Sequence, residues 1–216
     1  MSWAKATRRR ESRLAPAVAI LAVLFLLRVL PARLQILPDW VSAVAVVAIL
    51  LPMGVVTAFP TNRLWMRVEH VVTLIFFASG FVATLFAVAY LINALLFHPD
   101  IGGIPLLSSS VAIWATNVLI FSLLYWQTDR GGPSARTRGQ AKTSDWLFPQ
   151  ASLPGYEDWR ASFIDYLFLG FTAATAFSPT DTMPLTPRAK AWMMLQASIS
   201  LVTLVVIAAR AINILR

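Results

Sequence analysis

The chain has 216 residues, of which 58% are hydrophobic and 13% are charged. A soluble domain usually has about 25% charged residues, so this composition argues against a soluble enzyme and for an integral membrane protein. The chain contains no cysteine, which excludes disulfides, thiolate metal ligands and cysteine nucleophiles. Its net charge of +8 does not require a nucleic acid partner, because basic residues gather in the cytoplasmic loops of membrane proteins.

Residues 1–13 form a basic tail, and four long apolar segments follow it. Arg8, Arg9 and Arg10 precede the first apolar run, as they would in a secretory signal. Arg28 interrupts that run and no small-residue cleavage site follows, so we expect a retained helix instead. Each of the four segments is long enough to cross a bilayer core of about 30 Å. The predicted helices cover residues 14–30, 40–58, 68–97 and 104–126.

The second half of the chain contains one polar loop and two more helical segments. The loop covers residues 127–160 and is the only sizeable region predicted outside the membrane. Segment five, residues 161–177, has barely the length to cross, and the Ser-Pro-Thr-Asp sequence at 178–181 is typical of a turn. Segment six covers residues 189–215, and Thr186 is its predicted N-terminal cap.

The distribution of basic residues predicts the orientation of these segments. The tail, the connector after segment two and the 127–160 loop are rich in Lys and Arg, whereas the connectors after segments one and three are not. If all six segments cross, both termini and the loop are cytoplasmic and residues 178–181 lie outside. A re-entrant segment five would place the loop and residues 178–181 on one side, but the basic residues favour a crossing segment. The predicted fold is therefore all-α, a polytopic transmembrane bundle of about six segments, with the fifth short and either crossing or re-entrant.

One face of segment six carries a row of polar residues. The residues that share this face by helical spacing are Gln196, Ser200, Thr203 and Arg210. Lipid-facing surfaces rarely carry such a row, so we expect this face to look into the bundle or into an aqueous cavity. Hydrogen bonding between helices and a path for a solute or ion would both explain it.

Segment five and the turn after it carry a second group of polar residues. They are Asp165, Thr172, Thr175, Ser178, Thr180 and Asp181. The order of a threonine-rich helix, a turn with an aspartate, Pro-Leu-Thr-Pro at 184–187 and a long helix resembles the pore helix, filter and inner helix of potassium channels. The resemblance implies a pore built from segments five and six. The filter position, residues 176–180, contains no glycine, so we do not expect a potassium-selective filter.

Several separated motifs resemble a family of small bacterial inner-membrane proteins of unknown function. They are Tyr125-Trp126, Asp-Arg-Gly-Gly-Pro at 129–133, Phe-Pro-Gln at 148–150, and the stretch from Asp165 to Pro184. The match covers about the last hundred residues. It implies a location in the bacterial inner membrane and brings no established activity.

The sequence contains no enzyme, metal-site or cofactor motif that we recognise. The two histidines, His70 and His98, stand at opposite ends of segment three, and no phosphate loop or Gly-x-Ser-x-Gly turn is present. The aspartates are far apart in sequence and no spacing pairs them, so an intramembrane enzyme based on Asp165 or Asp181 lacks a second catalytic group. We therefore expect no catalytic, cofactor-binding or metal site.

Two functions remain open from the sequence. In the first, segments five and six form a pore or transport path for a small ion or solute. One such unit cannot enclose a path alone, so we expect a homo-oligomer in the lipid bilayer. In the second, the chain is a scaffold or accessory subunit that binds another membrane protein through the 127–160 loop.

Overall fold

The computed structural model of the chain describes residues 12–29, 39–59, 62–97, 103–137, 142–175 and 181–214. These ranges contain seven α-helices, two short 3-10 helices and one pair of short β-strands. The α-helices are α1 (Leu14–Val29), α2 (Asp39–Ala58), α3 (Arg63–Phe97), α4 (Gly103–Thr128), α5 (Pro133–Thr137), α6 (Phe163–Thr175) and α7 (Pro187–Ile214). The 3-10 helices are Asp129–Gly131 and Pro149–Ser152, and the strands are β1 (Trp146–Leu147) and β2 (Met183–Pro184). The all-α prediction is confirmed, because each predicted apolar segment corresponds to a helix.

Three of the described helices are long and apolar enough to cross a membrane. They contain the spans Leu64–Ala94, Leu107–Gly131 and Pro187–Ala209, so the structure is compatible with a membrane protein. α1, α2 and α6 contain shorter apolar stretches. Of these, α6 has 13 residues, which corresponds to about 20 Å of helix.

α4 lies at the centre of the bundle and contacts α1, α3, α6 and α7. Its large side chains Phe121, Tyr125 and Trp126 are buried, and the ring of Phe121 packs edge-on against Phe81 of α3 at 6.3 Å. α2 packs on the outside against α3 and α1. A helix that is apolar on all sides is usually buried among other helices. In this central position, the few polar residues of α4 can bond to residues on several neighbouring helices.

The end of the bundle at which α4 terminates, here termed the loop end, also contains the starts of α1 and α3. Arg13, just before α1, donates from Nε to Oε1 of Glu69 in α3 over 2.5 Å. Its Nη2 donates to the other Glu69 oxygen over 3.1 Å and to Ser134 Oγ over 3.4 Å. Near the end of α4, the Gln127 amide bonds to His70 of α3 over 3.0 Å. These contacts place α1 and α3 antiparallel to α4.

α6 also begins at the loop end. Tyr166, in the first turn of α6, donates from its hydroxyl to Asp129, which directly follows α4. Further along α6, the ring of Phe171 lies 5.9 Å from that of Trp114 in the first half of α4. α6 therefore runs antiparallel to α4 and away from the loop end.

α7 follows the same direction as α6. Arg188, in its first turn, donates to the carbonyl of Thr128 at the end of α4 over 3.4 Å. Three turns later, Ser200 accepts a 2.9 Å hydrogen bond from Asn117, in the middle of α4. α6 and α7 are therefore parallel to each other, and both begin at the loop end.

Segment five consequently does not cross from one end of the bundle to the other. β2, which follows α6, pairs antiparallel with β1 of the 127–160 loop, in the register Trp146–Pro184 and Leu147–Met183. The loop and β2 lie at the same end, which is the arrangement expected of the re-entrant alternative; the orientation of segment five in a membrane stays a prediction. α1 begins at the loop end and α7 runs away from that end, while the two termini lie outside the described residues. Arg188, in the first turn of α7, also binds Asp145 of the loop.

Residues 142–160, here termed the cap, fold over the loop end. Trp146 and Phe148 of the cap are buried. The ring of Trp146 lies 4.8 Å from that of Tyr125 in α4, and Phe148 packs against Trp159 at 5.6 Å and Tyr166 at 5.3 Å. This part of the predicted polar loop therefore has an aromatic core of its own and is docked on the helices.

Candidate functional site

The candidate site lies where α4, α6 and α7 meet, and Gln196 of α7 stands at its centre. The side chain is fully buried. Its Oε1 accepts a 2.6 Å hydrogen bond from the Tyr125 hydroxyl of α4, and its Nε2 donates to the Gly170 carbonyl of α6 over 2.7 Å. One amide thus links three helices, and both of its polar atoms are satisfied.

A second buried contact continues this line away from the loop end. Asn117 Nδ2 donates to Ser200 Oγ over 2.9 Å and to the Gln196 carbonyl over 3.3 Å. Thr203 is fully buried, and its hydroxyl donates to the Ile199 carbonyl of its own helix over 2.8 Å. Gln196, Ser200 and Thr203 of the polar face therefore look into the bundle, and α4 contacts this face within a single chain. The residues Asn117, Tyr125, Gln196, Ser200 and Thr203 are here termed the polar seam.

Three buried polar atoms in the middle of α4 have no hydrogen-bond partner among the described residues. They are Nε1 of Trp114, Oγ1 of Thr116 and Oδ1 of Asn117. The contact of Trp114 with Phe171 places them at the level of the second half of α6. Buried polar atoms without a protein partner are costly unless water or a solute satisfies them.

Gly170 allows α6 to approach α4 closely. A Cβ atom at this position would overlap Ser122 Oγ and would lie 3.2 Å from the Val118 carbonyl oxygen. Small residues at helix contacts are typical of membrane bundles, because they let backbones come together. This approach brings the Gly170 carbonyl within reach of Gln196.

The C-terminal half of α6 carries two of the predicted threonines. Thr172 is buried, and its hydroxyl lies 2.9 Å from the Phe168 carbonyl and 3.1 Å from that of Leu169. Thr175 is half-buried and donates to the Thr172 carbonyl over 3.1 Å. The two hydroxyls and the carbonyls to which they donate therefore gather oxygen atoms in the last described turns of α6.

Asp129 holds the cap and the start of α6 at the end of α4. Its side chain is buried. Oδ1 accepts hydrogen bonds from the Asp145 amide over 2.8 Å and the Ser144 hydroxyl over 3.3 Å, and Oδ2 accepts one from Tyr166 over 2.6 Å. One buried carboxylate thus joins the end of α4, the cap and the start of α6.

Asp145 of the cap binds the start of α7 in the same manner. Its buried Oδ1 accepts from the Thr186 hydroxyl over 2.6 Å and from Arg188 Nε over 2.8 Å, while Arg188 Nη2 bonds to Oδ2. The Thr186 oxygen also accepts from the Ala189 amide over 3.2 Å, so Thr186 caps α7 as predicted. The residues Asp129, Asp145, Tyr166, Thr186 and Arg188 are here termed the clamp.

The Asp-Arg-Gly-Gly-Pro motif forms the turn between α4 and α5. Its three central residues, Arg130 to Gly132, have positive φ angles of 53°, 83° and 88°, a region that favours glycine. Arg136 of α5 reaches back and donates from Nη1 to the carbonyls of Trp126 and Asp129 over 2.9 and 2.7 Å. The motif is therefore a turn, and Arg136 satisfies carbonyls at the end of α4.

The remaining predicted site residues lie outside this network. Asp165 is half-buried and accepts hydrogen bonds from the Ser162 amide and hydroxyl over 2.7 and 2.8 Å. It therefore closes the first turn of α6, as the third residue of a capping box does. Asp181 is exposed just before β2. Ser178, Thr180 and the side chain of Arg210 lie outside the described residues.

Sequence reasoning missed the contributions of α4 and the cap to this site. The missed residues are Asn117, Tyr125, Asp129, Asp145 and Arg188. The two aspartates were kept apart because 16 residues separate them, yet the Asp145 amide bonds to the Asp129 carboxylate. Asn117 offered the one usable signal, because a polar side chain in the middle of an apolar helix rarely faces lipid.

In the part of the chain that the structure describes, no group of three or more His, Asp or Glu side chains could hold a metal ion. No family model, curated protein or solved structure matches the chain. The two family resemblances therefore stay predictions, and the geometry of α4, α6 and α7 is the basis for a functional proposal.

Proposed function

We propose that this chain is an integral protein of a bacterial inner membrane which, as a homo-oligomer, forms a path for a small cation at the C-terminal end of α6. One observation carries the proposal. α6 and α7 begin at the same end of the bundle, although α6 is too short to cross a bilayer core of about 30 Å. A re-entrant segment has these features, because its short helix enters the membrane and the chain then returns to the side from which it entered.

The position of the second half of α6, deep along α4, supports an environment of protein or water around it and not of lipid alone. Phe171 packs against Trp114, which lies roughly 16 Å into α4 from Gly103 at 1.5 Å per residue. Backbone that leaves helical geometry at membrane depth is tolerated only where protein buries it or where it lines a water-filled cavity.

The chemistry at the end of α6 favours a cation. A helix C-terminus carries the equivalent of about half a negative elementary charge, and the sequence of α6 contains no Lys or Arg. The hydroxyl oxygens of Thr172 and Thr175 and the unpartnered Oδ1 of Asn117 add further oxygen atoms in this half of the bundle. Helix C-termini and backbone carbonyls coordinate cations in the same way at the broken helices of transporters.

Several copies of the chain are needed, because a single chain closes its own polar seam. Gln196, Ser200 and Thr203 are fully buried, so the path does not run along them. The opposite face of α6 is apolar and largely exposed; its exposed residues are Ile164, Phe168 and Phe171. Copies arranged around a common axis would cover this face and bring several α6 ends together.

The basic residues orient the bundle with its loop end in the cytoplasm. The described basic residues near this end include Arg13, Arg67, Arg130, Arg136, Lys142, Arg160, Arg188 and Lys190, whereas Arg28 ends α1 on the other side. Cytoplasmic loops carry the excess of Lys and Arg. In this proposal α1, α2, α3, α4 and α7 cross, α6 re-enters from the cytoplasm, and α7 ends outside.

A scaffold or accessory role is the second candidate, and one feature of the cap favours it. Residues 151–158 are exposed, and they present the apolar side chains of Leu153 and Tyr156 to the surroundings. Exposed aromatic and aliphatic residues on an otherwise docked element are typical of a protein contact.

Cation flux into proteoliposomes tests the proposed path. Thr175→Val removes a hydroxyl at the end of α6 and keeps the side-chain shape, so flux should fall severalfold. Thr57→Val is the matched control, because Thr57 is exposed on α2 and its hydroxyl bonds back to Met53 as that of Thr175 does to Thr172. Absence of flux, or equal flux in both variants, would contradict the path. A partner that co-purifies and is lost with Leu153→Ala would favour the scaffold.

A further inference from the structure

A cleft of about 460 Å³ lies at the loop end, between the cap and the first turn of α7. The residues that line it are Lys142, Thr143, Asp145, Thr186, Pro187 and Arg188. We propose that this cleft binds the phosphate headgroup of an anionic phospholipid. The inference stands apart from the proposed cation path, because it uses neither α6 nor the polar seam.

The charges in the cleft are those an anion requires. Asp145 is buried, and its two oxygens are already bonded to Thr186 and Arg188. The Arg188 side chain is 53% exposed; its Nε and Nη2 face Asp145, which leaves Nη1 for a ligand. Lys142 is exposed, and its amino group has no partner among the described residues. Lys142 and Arg188 are cationic and Asp145 is the one carboxylate of the cleft, so the cleft has a net positive charge.

The height of the cleft favours a lipid over a soluble phosphate. The apolar span of α7 begins at Pro187, a residue of the cleft itself, so the cleft lies where headgroups meet the hydrocarbon core. Leu185, half-exposed, is bonded through its amide to the Asp145 carbonyl over 2.8 Å. Met194, further along α7, is 70% exposed. Cationic groups above exposed apolar side chains match an anionic headgroup with acyl chains below it.

Lipid binding to the purified full-length chain tests this site. The protein in a nonionic detergent is titrated with phosphatidylglycerol, and retained lipid is counted by native mass spectrometry. Lys142→Gln should weaken binding about fivefold, since one basic residue near an anionic headgroup contributes roughly that factor. Arg160→Gln is the control of equal charge change, because Arg160 is exposed on the cap and does not line the cleft. Arg188 is left unchanged, since its loss would also break the clamp.

The outcomes separate the site from general charge attraction. Weaker binding in Lys142→Gln, unchanged binding in Arg160→Gln and recovery in Lys142→Arg would support the cleft. Equal losses in both glutamine variants would overturn it, because they would indicate a diffuse basic surface. Equal retention of phosphatidylcholine, or displacement of the lipid by soluble glycerol phosphate, would overturn an anionic lipid as the ligand.

Discussion

Tyr166 donates a 2.6 Å hydrogen bond from its hydroxyl to Oδ2 of Asp129, and this contact fixes the start of α6 beside the end of α4. Asp129 also accepts the amide of Asp145, whose carboxylate binds Arg188 of α7. One series of contacts, centred on the buried carboxylates of Asp129 and Asp145, thus sets the starts of both helices at the loop end. The direction of α6, on which the proposed path depends, follows from the clamp.

Removal of the Tyr166 hydroxyl should therefore destabilise the fold. We expect Tyr166→Phe to lower the free energy of unfolding by about 1–3 kcal/mol, because a buried carboxylate oxygen loses its donor. Tyr156→Phe is the control, since Tyr156 is half-exposed on the cap, and a surface change of this kind costs about 0.5 kcal/mol or less. Denaturant unfolding in detergent measures both. Equal effects would show that the Tyr166 contact contributes nothing specific.

A methyl group at Gly170 should separate α6 from α4. Gly170→Ala should lose about 1–3 kcal/mol through overpacking against Ser122 and Val118. Gly54→Ala in α2, where a Cβ atom meets nothing within 4 Å, should instead gain about 0.5–1 kcal/mol from helix propensity. Adding Ser122→Ala to Gly170→Ala should recover part of the loss. Thermal unfolding that ranks the two glycine variants alike would refute the close contact.

The Gln196 amide should couple energetically to Tyr125. Gln196→Leu and Tyr125→Phe each break the 2.6 Å bond between them, so the double variant should lose less stability than the sum of the two. We expect a coupling energy of about 0.6–2 kcal/mol, the range for hydrogen bonds between membrane helices. A double-mutant cycle measures it. Strict additivity would mean that the two side chains do not interact.

The position of the helices could be predicted from the sequence, because uncharged runs of bilayer length leave few alternatives. The sequence also predicted the α7 residues of the polar seam, since Gln196, Ser200 and Thr203 recur at helical spacing. It did not predict the α4 residues of the seam. Asn117 and Tyr125 are single polar residues in an apolar helix, and periodicity says nothing about which neighbour they meet.

The direction of α6 could not be predicted, because contacts between distant residues determine it. Tyr166 and Asp129 are 37 residues apart, and Arg188 and Asp145 are 43 apart. The docking of the cap on the helices could not be predicted either. Trp146 and Phe148 stand in a stretch that composition assigns to a polar loop, and only their packing against Tyr125 and Tyr166 shows a docked element.

The turn after α4 should tolerate no side chain at Gly132. Its φ is 88°, and a Cβ atom would lie 2.7 Å from the Gln127 carbonyl oxygen. Gly155 in the cap has nearly the same φ, 87°, with nothing within 4 Å, so Gly155→Ala should cost only the backbone strain of about 1–2 kcal/mol. Gly132→Ala should cost about 1–3 kcal/mol more from the clash. Similar losses in unfolding measurements would contradict the crowded turn.

The re-entrant direction of α6 is the central claim, and cysteine accessibility tests it most directly because the chain has no cysteine of its own. Single cysteines replace Thr143 in the cap, Asp181 before β2 and Ile104 at the start of α4, all of them exposed. A membrane-impermeant thiol reagent is applied to intact cells and to inverted vesicles. We predict that Thr143→Cys and Asp181→Cys label only in inverted vesicles and Ile104→Cys only in intact cells. Labelling of the first two from opposite sides would show that α6 crosses the membrane and would contradict the account.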